Sequence, residues 1–122
     1  MLERTPKTET FIGAAGNKLA ADSYGNGERA AILLHGGGQT RHAFAGTARA
    51  LAKSGWTAFT IDQRGHGDSD WVEGGHYSVF DFADDITKVA GEIAKRFSAP
   101  PILIGASLGG MAGMIADGGA AK

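Results

Sequence analysis

Apolar residues fall in short runs separated by polar, glycine-marked breaks, and the runs alternate in period. Residues 8–12 and 18–24 predict two short strands around Gly13–Asn17, a hairpin. Ala30–Leu34 is continuously apolar between Arg29 and a glycine triplet, as expected of a strand buried on both faces in a parallel sheet. Residues 41–53 then carry Phe44, Ala48, Leu51 and Ala52 on one helical face, with Gly55 where a C-terminal cap glycine belongs. Thr57–Ile61 is the next strand.

The following helix has the strongest pattern. Ser78 and Asp81 have capping-box spacing, and Phe82, Ile86, Val89, Ile93 and Phe97 form one stripe. Asp81, Asp84 and Asp85 crowd its start, while Lys95 and Arg96 near its end suit the helix dipole. Pro100-Pro101 stops it, Ile102–Ile104 form the last strand, and Leu108–Ala116 are helix-compatible. The β-α-β-α-β-α order from residue 30 onward predicts an α/β fold, a mostly parallel sheet with helices on both faces. Without internal repeats or a linker, residues 1–122 read as one domain.

Composition narrows the function classes. The 122 residues are 43% hydrophobic and 20% charged, with net charge −1 and scattered lysines and arginines. This is an ordinary globular composition, and no nucleic-acid or membrane surface is expected from it. The absence of cysteine rules out disulfides, thiolate metal sites and a cysteine nucleophile. The N-terminus lacks the apolar core of a signal peptide, and no apolar run approaches the ~18 residues of a membrane span, so the default expectation is the cytoplasm. The twenty glycines concentrate at 25–27, 36–38, 65–67 and 105–113, and three of these clusters follow predicted strands.

Gly105-Ala106-Ser107-Leu108-Gly109 matches G-x-S-x-G between a predicted strand and a predicted helix. That setting makes Ser107 a candidate nucleophile on a strained turn, its flanking glycines needed because side chains there would collide with neighbouring elements. The alternative is a strand–helix turn whose serine merely caps the helix. His35-Gly36-Gly37-Gly38 directly follows a strand, where glycine N–H groups can converge on a developing oxyanion. A flexible turn is the alternative; a P-loop or dinucleotide fingerprint is absent, because Gly36–Arg41 lacks their closing residues. The third motif, Asp62-Gln63-Arg64-Gly65-His66-Gly67-Asp68-Ser69, reads as a structural loop in which Asp62 and Arg64 bond to neighbouring loops. A metal site of His66, Asp62 and Asp68 matches no known ligand spacing, and neither metal nor cofactor is expected. Trp71, Phe44 and Tyr77 could line an acyl pocket but are expected to serve packing.

These three motifs, in this order, resemble the N-terminal signatures of the α/β-hydrolase superfamily from about residue 10 to residue 117. The chain is similar to its single-domain-plus-cap enzymes: esterases, lactonases, cofactor-free haloperoxidases, C–C bond hydrolases and epoxide hydrolases. Epoxide hydrolases and haloalkane dehalogenases carry aspartate at the elbow, so Ser107 points to the ester, lactone and perhydrolase side. The resemblance implies that Ser107 is the nucleophile and that the N–H groups of Leu108 and Gly37 form the oxyanion hole, with Gly36 or Gly38 as alternatives to Gly37. It implies a structural role for His35 and a small-molecule substrate; it leaves the oligomeric state open.

The family order is Ser, then Asp or Glu, then His. Residues 108–122 hold one acid, Asp117, and no histidine. His35, His42, His66 and His76 all precede Ser107, and the family topology gives neither His66 nor His76 the base position. The last helix is expected to run out at Gly118-Gly119, read as a turn toward a further element. The expectation is therefore the N-terminal part of a single α/β-hydrolase domain, truncated after the elbow and its helix and active only in the full-length protein. The alternative is a catalytically incomplete chain, non-enzymatic or dependent on a partner that completes the sheet.

Overall fold

A computed structural model describes the backbone of residues 5–120 and the side chains of residues 5–117. Two strands open the chain, β1 (Lys7–Ile12) and β2 (Lys18–Tyr24), followed by β3 (Arg29–Leu34), a 3-10 turn (Arg41–Phe44) and helix α1 (Ala45–Lys53). Then come β4 (Trp56–Ile61), α2 (Val79–Ala94), β5 (Ile102–Gly105) and α3 (Leu108–Ala120). The sheet order is β1-β2-β4-β3-β5. β1 and β2 pair antiparallel, as do β2 and β4, while β3 is parallel to both β4 and β5. The sheet is thus mixed, with a parallel core flanked by an antiparallel hairpin.

The two apolar faces of β3 separate as the strand period requires. Ala30, Ile32 and Leu34 face one core with Phe59 and Ile61 of β4, covered by α2 through Phe82, Ile86, Val89 and Ile93 and by α3 through Ala112 and Ala116. Ala31 and Leu33 face the opposite core with Tyr24 and Ala58, covered by α1 through Ala48. Burying each large side chain of the α2 stripe stabilises the fold by ~1.5–3 kcal/mol relative to exposure. No helix among the described residues is long and apolar enough to cross a membrane.

Several boundaries differ from the sequence expectation. Residues 41–53 split into a 3-10 turn and α1, because Arg41 is drawn inward: its backbone N–H donates to Asp62 Oδ1 and its guanidinium to Asp22. Lys95 and Arg96 lie past the last turn of α2. Arg96 instead pairs with Glu9 at 2.7 Å and lies over Phe11, 5.4 Å from the ring centroid. Gly118 and Gly119 belong to α3 rather than to a turn; glycine weakens a helix by ~1 kcal/mol without ending it. Trp71 is 78% exposed, touching Tyr77 edge-on, so it is not a core packing residue. β5 pairs with β3 alone among the described residues, and its Ile102 is 38% exposed.

Candidate active site

The chain reverses its winding at β3. The connection through α1 leads to β4 on one side, and the connection through α2 leads to β5 on the other. The loops leaving the carboxyl ends of β3, β4 and β5 therefore gather at one crevice, where parallel sheets of this kind bind ligands. All three motifs lie there.

The elbow is held by backbone contact. Ala106 N–H donates to the Leu34 carbonyl at 3.1 Å, extending the β5–β3 ladder to the edge of the turn. Ser107 then takes φ 54°, the one non-glycine residue with positive φ among those described. Such a conformation costs of order 1–3 kcal/mol and persists where the surroundings enforce it. The enforcement is visible: a Cβ on Gly105 would lie 2.5 Å from the Gly109 carbonyl carbon, and one on Gly109 would lie 2.1 Å from Leu34 O. Only glycines let β5, the turn and α3 approach this closely. The Ser107 side chain is exposed at the tip.

The glycine loop lies against this tip. A Cβ on Gly36 would sit 3.5 Å from Ser107 Cβ, and one on Gly37 would sit 3.9 Å from Leu108 Cδ2. The N–H groups of the triplet differ in what they meet. Gly36 N–H donates to Gln39 Oε1 at 2.9 Å, and Gly38 N–H donates to His66 Nε2 at 3.1 Å. Among the described residues, nothing accepts the N–H of Gly37 or of Leu108. His35 braces the loop from beneath. It is fully buried, with Nδ1 2.8 Å from Gly36 O, and Nε2 accepts from Gln63 N–H at 3.0 Å. The Gln63 side chain returns a bond to His35 O at 2.8 Å. Burial lowers the His35 pKa, so the ring is held neutral.

The loop after β4 is a network of charges. Asp62 is fully buried and bonds the Arg41 guanidinium, the Arg41 N–H and the Asp68 N–H. Arg41 also reaches Asp22 and Asp68, each at 3.0 Å. Burial opposes its charge, but the bonds from Asp68, Asp22 and Asp62 outweigh that and raise its pKa. Arg64 is 2% exposed and grips Asp85 of α2 with two bonds of 2.7 Å. Asp85 raises the Arg64 pKa and in turn accepts from Ala14 N–H of the first hairpin. One ion pair thereby ties the site loop, α2 and the hairpin together.

No side chain among the described residues hydrogen-bonds to Ser107 Oγ, and His35 and His66 have both ring nitrogens engaged elsewhere. Among the described residues, no cluster of histidine and carboxylate side chains is arranged to hold a metal ion. Sequence reading did not find the parts played by Gln39, Arg41 and Gln63. Their one signal is position: each follows, within a few residues, the carboxyl end of a strand predicted to be parallel to its neighbour.

Comparison with known proteins gives a consistent picture. The family model described as serine aminopeptidase, S33 matches residues 25–116. An esterase of Mycobacterium tuberculosis is 32% identical over 93 residues, which are 76% of this chain and 29% of that protein. An epoxide hydrolase from Vigna radiata superposes with TM-score 0.82 at 21% identity, covering 91% of this chain and 35% of that one. An esterase from Exiguobacterium antarcticum superposes with TM-score 0.79 at 24% identity, covering 90% and 39%. At these identities the structures speak for the fold alone. The chain spans about a third of the length of these relatives.

Proposed function

The chain belongs to the α/β-hydrolase superfamily, in the family described as serine aminopeptidase, S33, and on that premise we propose that the protein is a serine hydrolase of small esters, lactones or related acyl compounds. The observation that carries this reading is the elbow: an exposed serine at φ 54° beside two N–H groups, of Gly37 and Leu108, that no described residue claims. Ser107 Oγ attacks the acyl carbon and passes its proton to a base. The carbonyl oxygen becomes an oxyanion received by the Gly37 and Leu108 N–H groups. Collapse breaks the acyl–oxygen bond, the leaving alkoxide takes up the proton, and water then hydrolyses the acyl-enzyme. The base is a histidine supplied from outside these 122 residues, since those beside the elbow are committed to the loops. The esterase among the relatives favours an ester over an amide bond.

The test is Ser107→Ala in the full-length protein, with nitrophenyl acetate as substrate and a fluorophosphonate probe. Loss of turnover together with loss of labelling is expected; turnover that survives the substitution overturns the proposal.

A second reading draws on β5, which pairs with β3 alone among the described residues: that these residues by themselves are catalytically incomplete and depend on a partner to complete the sheet. A monodisperse, well-folded monomer of the 122-residue chain would count against it.

A further inference from the structure

His66 is bonded on both ring nitrogens and at both backbone groups. Its Nδ1 lies 3.0 Å from the Arg64 carbonyl, which can only accept, so Nδ1 carries the ring proton. Nε2 is therefore a bare lone pair, and it is this atom that receives the Gly38 N–H at 3.1 Å. The His66 backbone donates to Gln63 O and accepts from Ser69 N–H, each at 3.0 Å. The ring packs against His35, with centroids 4.9 Å apart, and against Phe82 of α2. A rigid acceptor thus reaches from the loop after β4 to the loop after β3.

Gln39 N–H donates to Gly36 O at 3.1 Å and closes the turn that holds Gly37 and Gly38. Gly38 has φ 79° and a Cβ there would meet nothing within 4 Å, so the hydrogen bond to His66 is what ties this peptide to the loop after β4. Gln39 pins Gly36 from one side; His66 pins Gly38 from the other. Between two committed N–H groups stands that of Gly37, which nothing among the described residues accepts.

We propose that His66 is the positioning residue of the oxyanion loop: by accepting the Gly38 N–H on Nε2 it fixes the peptide planes so that the Gly37 N–H is the donor left for substrate. This rests on the serine-hydrolase reading of the elbow. His66 makes no hydrogen bond to Ser107, and both its ring nitrogens are engaged within the loops. Its effect falls on a donor whose acceptor gains charge in the transition state, so kcat depends on it and KM does not.

Two substitutions in the full-length protein separate this role from mere packing. His66→Phe keeps a ring against His35 and Phe82 and removes the acceptor. His66→Gln places an amide oxygen near the position of Nε2. With nitrophenyl acetate, His66→Phe is expected to lower kcat at least about 10-fold with KM within about twofold, and His66→Gln to recover most of the loss. The Gly38 amide proton should move upfield in His66→Phe and return in His66→Gln. An unchanged kcat in His66→Phe, or equal losses in both variants, overturns the proposal. If neither variant folds, the wild-type protein decides: a His66 Nε2 nitrogen resonance of the unprotonated type at neutral pH supports it, and a protonated Nε2 overturns it. Turnover that survives Ser107→Ala is the distinct failure of the hydrolase reading, and the Gly38 resonance still reports whether His66 holds the loop.

Discussion

Gly109 rests directly on Leu34: a Cβ at Gly109 would lie 2.1 Å from the Leu34 carbonyl oxygen. The first turn of α3 thus packs backbone on backbone against the end of β3, and this contact aims the elbow at the glycine loop. Gly109→Ala should destabilise the full-length protein by about 1–3 kcal/mol or more and collapse kcat. Gly91→Ala, on an exposed turn of α2 with open space around it, should stabilise by ~0.5–1 kcal/mol. Urea denaturation of both variants checks the contrast; a Gly109→Ala protein as stable and active as wild type would refute the packing argument.

The space beside Gly37 and its N–H can be tested separately. A Cβ at Gly37 meets only Leu108 Cδ2, at 3.9 Å. Gly37→Ala, which keeps the N–H, should leave kcat within about 10-fold of wild type, whereas Gly37→Pro should lower it by ~10²–10³. Steady-state kinetics on an ester decide; equal effects would remove Gly37 from the oxyanion hole.

Asp85 is 3% exposed and neutralises a buried Arg64. Asp85→Ala strands that guanidinium and frees the Ala14 N–H, so a loss of ~3–5 kcal/mol is expected. The midpoint of denaturation measures it, and a loss below ~1 kcal/mol would show that water or another group takes over.

Burial lowers the His35 pKa below its usual 6.5, while the bond to Gly36 opposes it. Below pH 6.5 the unfolded chain takes up a proton that the folded His35 refuses, since Nε2–H would face the Gln63 N–H. Stability is therefore complete above pH 6.5, falls as pH drops through it, and levels off below the folded pKa. Denaturation midpoints from pH 7.5 to 5 should show this slope, reduced in His35→Gln; identical slopes in the two proteins would exclude His35 as its source.

Much of this molecule is legible along the chain. The unbroken apolar run Ala30–Leu34, the Ser78–Asp81 box and the Phe82–Ile93 stripe specify their elements because strand and helix periods act locally, residue by residue. The G-x-S-x-G pentapeptide likewise marks its own turn, since the two glycines answer a steric demand of the strand–helix reversal. Arg41 shows where local reading ends: a helical pattern yields to three aspartates that are distant in sequence. Trp71 is another case, apolar by type yet left outside by the path of its loop. The family resemblance names Gly37 and gives His35 a structural role, but the hydrogen bonds that commit the neighbouring N–H groups, and the anchoring of the loop by His66, were decided by the tertiary structure. Those assignments depend on β3 lying parallel to β4 and β5, which brings three separate loops to one end of the sheet. Hydrogen bonds act over about 3 Å, and no pattern along the chain records which groups the fold will bring that close.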